Sequence, residues 1–297
     1  MLSSLLYNSS VIIGTRGSKL ALVQADEVAK RIPGSSIKII KTSADKSGLS
    51  LSKFTERGVF VKEIEERLLR GEIEIAVHSA KDLPTEIPEG LELFAITERL
   101  SPFDVLISKE RKRLADLPEK ARIGTGSPRR KMYLLNLRPD LQIVDIRGNI
   151  ETRFRKLKYL DGIVVAHSAL IRLNLEDQIT EVLEMLPAPG QGALAIEVRR
   201  DDRKTKDIVS SINHKDSFYS VMAERSFLSE LGVGCKSGVS ALGKVEGDRL
   251  ILKGSIFINR EKIEAEVFGR IEDAEEIGRH LAEKIVDEKK WLEYNKK

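Results

Sequence analysis

The sequence is poorest in the residues that would mark a secreted, metal-holding or membrane-spanning chain. It has one cysteine, Cys235, in 297 residues, which excludes a disulfide framework within the chain. Its four histidines, His78, His167, His214 and His280, lack zinc-ligand spacing, so no metal is expected. No apolar run reaches bilayer-spanning length. The opening MLSSLLYNSS has neither a basic start nor a long apolar stretch, so a cytoplasmic location is expected. Aromatic residues are 5% of the chain, and its 50 Lys+Arg and 46 Asp+Glu are interleaved in sign. With few stacking platforms and no basic run, a nucleic-acid partner is not expected.

What is present is apolar material, 41% of the residues, enough at this length for two or three domains. VIIGT reads as a buried strand, and Ala21, Ala25, Val28, Ala29 and Ile32 then recur at helical spacing. SIKIIKT is a second strand. The polar stretch ADKSGLSLSKFTERG has neither period and is expected to form a mobile lid, before Phe60, Ile64 and Leu68 begin another helix. EIEIAVHSAKDLP is a strand running into a loop, and LELFAITE is a further strand. Strands near VLIS, ARIGT, QIVDI and DGIVVAHSAL build a second lobe. In it, Ile163 to Ala166 are apolar without alternation, as in a parallel strand covered on both faces. Two echoes, IIGTRGSKLALV with RIGTGSPRRKMYLL and AVHSAKDL with VAHSALIRL, predict two similar α/β lobes facing one cleft. From Val239 the pattern changes to short strands and a helix near Ala274 to Val286, a small α+β domain. The expected division is 1–100 with 193–213, 101–192, and 214–297.

In open α/β sheets ligands bind outside the carboxyl ends of the strands. There the sequence places Arg16 and Ser18; Ser79, Lys81 and Asp82; Thr125, Ser127, Arg129 and Arg130; Arg147 and Arg153; and Arg172. In TGSPRR, Ser127 can cap a helix whose first residue is Pro128, leaving free N–H groups beside two arginines, an anion site. It lacks the spacing of a nucleotide P-loop. Any one arginine reads as a solvated helix residue, but six at loop ends suit carboxylate recognition. Asp82 is the one acid in this basic set, either a helix cap or partner of Lys81, or a carboxylate fit to hold a developing cation and relay protons. Cys235, between Gly234 and Lys236, is either small hydrophobic filler or a functional thiol. A binding module for an anion, with Cys235 inert, stays open on these residues alone.

The ordered series TRGSKLALVQ, GVFVKEIEERLL, IAVHSAKDLP, GTGSPRRK, DIRGNIETR and PAPGQGALAIE, with the glycine-flanked Cys235, resembles the porphobilinogen deaminase (hydroxymethylbilane synthase) family along nearly the whole chain. The resemblance implies two α/β lobes like periplasmic binding proteins around a cleft, plus a small α+β C-terminal domain. It also implies a dipyrromethane cofactor held through a thioether on Cys235, and a monomer acting on the small molecule porphobilinogen. Four porphobilinogens are joined head to tail with release of ammonia, and hydrolysis then frees the linear tetrapyrrole. By position, Asp82 matches the catalytic aspartate. Arg129, Arg130, Ser127, Thr125, Lys81 and Ser79 match cofactor-binding residues. Arg16, Ser18, Arg147, Arg153, Arg172 and Gln191 match residues that bind ring carboxylates, and Lys53 and Phe60 match the mobile loop and the site wall. The chain departs from the family where ERGVF replaces a glycine-lysine-glycine run, where KSGVS follows the cysteine, and where Val233 replaces a glycine.

Overall fold

The computed structural model describes residues 11–41, 61–232, 238–258 and 260–295. The expected lid at 44–58, together with Lys53, Phe60 and Cys235, lies outside the described residues. Contacts divide the chain into two units, Met1–Thr97 with Leu194–His214, and Glu98–Ala193 with Lys215–Lys297.

The first unit holds β1 (Ile12–Thr15), α1 (Lys19–Ala29), β2 (Ser36–Ile39), α2 (Lys62–Leu69), β3 (Ile75–Ser79) and β4 (Leu91–Ile96), and the returning β10 (Leu194–Arg199) and α6 (Arg203–Ser210). Its sheet runs β2-β1-β3-β10-β4. The first three strands are parallel, and β10 is antiparallel to both neighbours. The continuous apolar runs of β1, β3 and β10 follow from cover on both faces. One face packs Ile13, Val77 and Ile196 with Ala25 and Val28 of α1 and Val209 of α6. The other packs Ala76 and Leu91 with Ile64 and Leu68, one helical turn apart on α2.

The second unit begins with β5 (Asp104–Ser108), β6 (Arg122–Gly124), α3 (Pro128–Leu137), β7 (Gln142–Val144), α4 (Ile150–Lys156), β8 (Gly162–Ala166), α5 (His167–Arg172) and β9 (Glu181–Leu183). Its order, β7-β6-β8-β5-β9, is that of the first sheet strand for strand, and β5 is again antiparallel to its neighbours. The buried β8 is therefore parallel to β6 but antiparallel to β5, where the sequence predicted only a parallel strand.

The first sequence echo is a true structural correspondence, and the second is not. Gly14 pairs with Ala76, and Gly124 with Ile163, so the two glycines are equivalent. Each is a close approach. A Cβ on Gly124 would sit 2.6 Å from Leu160 Cδ1, and one on Gly14 would collide with Ile73. The same registers set His78 opposite Ala195 and Val165 opposite Val105, so His78 corresponds to Val165. His167, its echo partner, starts α5 two positions further on.

The unit continues with α7 (Lys215–Glu230), β11 (Ser240–Glu246), β12 (Arg249–Ile258), β13 (Glu261–Arg270) and α8 (Ala274–Asn295). Its antiparallel three-stranded sheet, ordered β11-β12-β13, buries Leu250, Leu252, Ile263, Ala265 and Val267 against Phe227 of α7 and Leu281 and Ile285 of α8. The alternation of buried Ile263, Ala265 and Val267 with outward Glu264, Glu266 and Phe268 is what one covered face requires. α8 extends beyond the expected end near Val286 because the polar run that follows is rich in helix-forming Glu and Lys.

One buried polar cluster in the first unit is unbalanced. His78 Nε2 lies 2.8 Å from Glu197 Oε2, with both side chains buried, and burial together with the nearby Glu197 charge raises Glu65 to about 7, the His78 charge opposing. The folded chain thus keeps a proton that the unfolded chain releases. The associated stability is full below the ordinary glutamate value and is lost as pH rises toward 7. Glu65→Gln is expected to melt higher than the wild type near pH 8, by about 2 kcal/mol, with no difference near pH 4. Thermal melts of both proteins at the two pH values check this, and equal differences at both would refute it.

Candidate active site

The two units contribute separate sets of the expected residues. In the first, Arg16 follows β1 and is half-buried. Ser18 caps α1, its Oγ accepting from Ala21 N at 3.3 Å. Ser79, the last residue of β3, accepts at Oγ a 2.8 Å hydrogen bond from Gln24 Nε2. The chain then makes one 3-10 turn, Ala80–Asp82. Ala80 and Leu83 are buried at its two ends, a spacing that turns Lys81 partly and Asp82 fully outward. Among the described residues Asp82 caps no helix.

In the second unit the turn after β6 is built for α3. Thr125 Oγ1 accepts from Ser127 N at 3.2 Å, and Ser127 Oγ accepts from Arg130 N at 3.4 Å. Pro128 occupies the first helical turn, where no N–H is needed. Arg129 and Arg130 then fall at the positive end of the helix, and both are buried. Arg129 donates from NH1 to Leu186 O at 2.6 Å and from NH2 to Asp104 Oδ2. Arg130 donates from Nε to Asp104 Oδ1 at 2.9 Å and from NH1 to Val164 O at 3.1 Å. Gln191 is also buried, and its amide nitrogen donates to Pro102 O at 2.7 Å and Asp104 Oδ1 at 2.9 Å. Burial pushes the Asp104 carboxyl up, but the fields of Arg129 and Arg130, with hydrogen bonds from Arg129 and Gln191, outweigh this and hold it far below the usual carboxylate range.

Of the remaining expected arginines only Arg172 is buried. Arg147 is exposed and lies 3.2 Å from Asp145. Arg153, half-buried on α4, donates from Nε to Gly148 O at 2.9 Å. Arg172, at the end of α5, donates to Gly192 O at 3.3 Å. A second acid holds the loop that carries Gln191: Glu224 of α7, fully buried, accepts from both terminal nitrogens of Arg99 at 2.7 Å, from Gly190 N at 2.6 Å and from Gly243 N at 2.8 Å.

The donor set around α3 suits a group that bears carboxylates. It comprises guanidiniums, hydroxyls and helix-end N–H groups, and Arg129 Nε is buried without a hydrogen-bond partner. Among the described residues no cluster of His, Cys, Asp and Glu could hold a metal ion, and no helix is long and apolar enough to cross a membrane.

Residues 11–207 match the family model described as porphobilinogen deaminase, dipyromethane cofactor binding domain, and residues 218–287 the one described as porphobilinogen deaminase, C-terminal domain. A porphobilinogen deaminase of Syntrophomonas wolfei is 47% identical over 93% of this chain and 95% of its own. One of Thermus thermophilus is 46% identical over 94% and 96%. Among solved structures, a putative methionine-binding lipoprotein of Bacillus subtilis covers 69% of this chain and 90% of its own, at a TM-score of 0.42 and 15% identity.

Proposed function

The chain belongs to the porphobilinogen deaminase family, and from that premise we propose which of its residues carry the family's reaction. The activity is a transferase of tetrapyrrole biosynthesis. Four porphobilinogens are condensed head to tail onto a covalently bound dipyrromethane with loss of ammonia, and hydrolysis releases hydroxymethylbilane. The cofactor, when bound, supplies the free pyrrole carbon onto which the first substrate is joined.

In this reading Cys235 is the cofactor anchor, and Arg129, Arg130, Ser127, Thr125, Lys81 and Ser79 hold the cofactor. Arg16, Ser18, Arg147, Arg153, Arg172 and Gln191 bind the acetate and propionate groups of incoming rings, and Lys53 and Phe60 belong to the loop and wall. Asp82 is the catalytic acid. In each condensation a C–N bond of the substrate breaks as ammonia leaves, a C–C bond forms, and a pyrrole carbon loses its proton. Asp82 faces the cationic methylene-pyrrole generated from the substrate, holds it by charge, and moves the proton at its carboxylate oxygen. The observation that supports this most directly is the exposed Asp82 carboxylate just past the end of β3, which caps no helix among the described residues. Three domains, 1–100 with 193–213, 101–192 and 214–297, a monomeric state, a cytoplasmic location and the absence of a nucleic-acid partner complete the reading. The domain division is supported by three separate sheets, each with its own apolar core.

The test is turnover. The purified protein is expected to consume porphobilinogen and release one ammonia per pyrrole, whereas a passive anion binder would release none. The arginines are expected to divide by stage, since each added ring brings two more carboxylates. Replacement of Arg129 or Arg130 should block cofactor assembly, while replacement of Arg153 or Arg172 should permit assembly and stall elongation. Native mass spectrometry reads the accumulated intermediates, and normal turnover with a normal intermediate distribution in all four variants would refute the clamp.

A further inference from the structure

We infer that Asp104, the first residue of β5, is a positioning residue that fixes the two guanidiniums of Arg129 and Arg130 in the orientation that receives the dipyrrole carboxylates. This inference rests on the assignment of those arginines to the cofactor. Two adjacent cations at the positive end of a helix repel each other and the helix terminus, and both are removed from water. Asp104 meets both with one carboxylate, Oδ2 toward Arg129 and Oδ1 toward Arg130. Each guanidinium has a second, main-chain acceptor from elsewhere in the unit, Leu186 O for Arg129 and Val164 O for Arg130. Two fixed acceptors per guanidinium define its plane as well as its place.

Asp104 is itself held on both sides. Its backbone lies opposite Ala166 of β8 and Leu183 of β9, and Gln191 Nε2 donates to Oδ1 at 2.9 Å. A group set on the middle of three strands holds its neighbours more closely than one on a loop. An acid needed only to balance charge would not require one oxygen per arginine.

The experiment compares wild type, Asp104→Asn and Asp104→Glu. Intact-mass measurement of the denatured chains gives the fraction carrying dipyrromethane, thermal melts establish folding, and steady-state assays on the loaded fraction separate KM from kcat. Asp104→Asn keeps the shape and loses the charge. At temperatures where it is folded, its loaded fraction is expected to fall ~10-fold or more, the scale of a small misplacement of reacting groups. Asp104→Glu keeps the charge and is expected to fold, with loading between the two and KM raised more than kcat is lowered. Wild-type loading and KM in either folded variant would overturn the inference. If Asp104→Asn does not fold, Asp104→Glu decides it alone, and failure of both to fold would make Asp104 a determinant of the fold instead. A wild type that carries no dipyrromethane and releases no ammonia would refute the underlying assignment, an outcome distinct from normal loading in the variants.

Discussion

Cys235→Ala is expected to carry no dipyrromethane and to release no ammonia from porphobilinogen. A thioether needs a sulfur, and the chain has one thiol in 297 residues, so no second site can take over. The thioether outlasts many cycles because, unlike a thioester, it resists hydrolysis, so a loaded wild type should hold its added mass through turnover. Gly238, which is described, lies against Met132 of α3 and Phe257 of β12. α3 is moored to β12 by the buried 2.7 Å hydrogen bond between Tyr133 and Ser255 and by the edge-to-face rings of Tyr133 and Phe257 at 4.9 Å. Intact-mass measurement under denaturing conditions should show an excess equal to a dipyrromethane in the wild type and none in Cys235→Ala. An unmodified wild type with full activity would sink the anchor role.

Asp82→Asn should lower turnover by at least ~100-fold, the lower range for a positioned acid–base group. The substitution preserves size and hydrogen-bonding capacity while removing the charge and the proton relay. Asp82→Glu retains the charge and should keep more activity, with intermediates accumulating because the longer side chain misplaces the carboxylate. Stability should hardly change in either. Asp82 is exposed and caps no helix, so the cap contribution of about 1 kcal/mol that a structural aspartate would supply is not there to lose. Single-turnover rates measured beside melting temperatures separate the two roles. A near-normal rate with a large drop in melting temperature would make Asp82 a structural residue.

Apart from β9, whose three residues, EVL, are too short for either signal, the strands of both lobes and of the C-terminal sheet were legible because each is marked by an apolar run or by alternation, which depend on local sequence. The Ser127–Pro128 helix start was legible for the same reason. Asp104 was not, because a search of the carboxyl ends of parallel strands passes over it. It sits at the amino end of β5, and only the antiparallel placing of that strand brings its start beside the carboxyl end of β8, opposite Ala166. Glu224 was hidden differently. In the middle of α7 it reads as one more surface acid, yet Arg99, Gly190 and Gly243 converge on it from far along the chain. The repeated VHSA and AHSA strings misled in the opposite sense, since a match of three letters carries no information about register. The same enclosure shows that Arg129 and Arg130, which spacing alone presents as open helix-end cations, already have partners inside the protein.

The return of β10 to the first sheet sets an order of events during synthesis. Among the described strands β4 is bonded only to β10, so a growing chain that has made Leu91–Ile96 still lacks that strand's partner until about a hundred further residues have been added. All five strands of the second sheet lie between Asp104 and Leu183 and need nothing made later to complete their ladder. Of the two five-stranded sheets, the one that begins first is thus the one that finishes last. Its long-range closure between residues 91–96 and 194–199 is the kind of contact that slows folding, and until it forms β4 presents an unpaired edge to whatever strand arrives first.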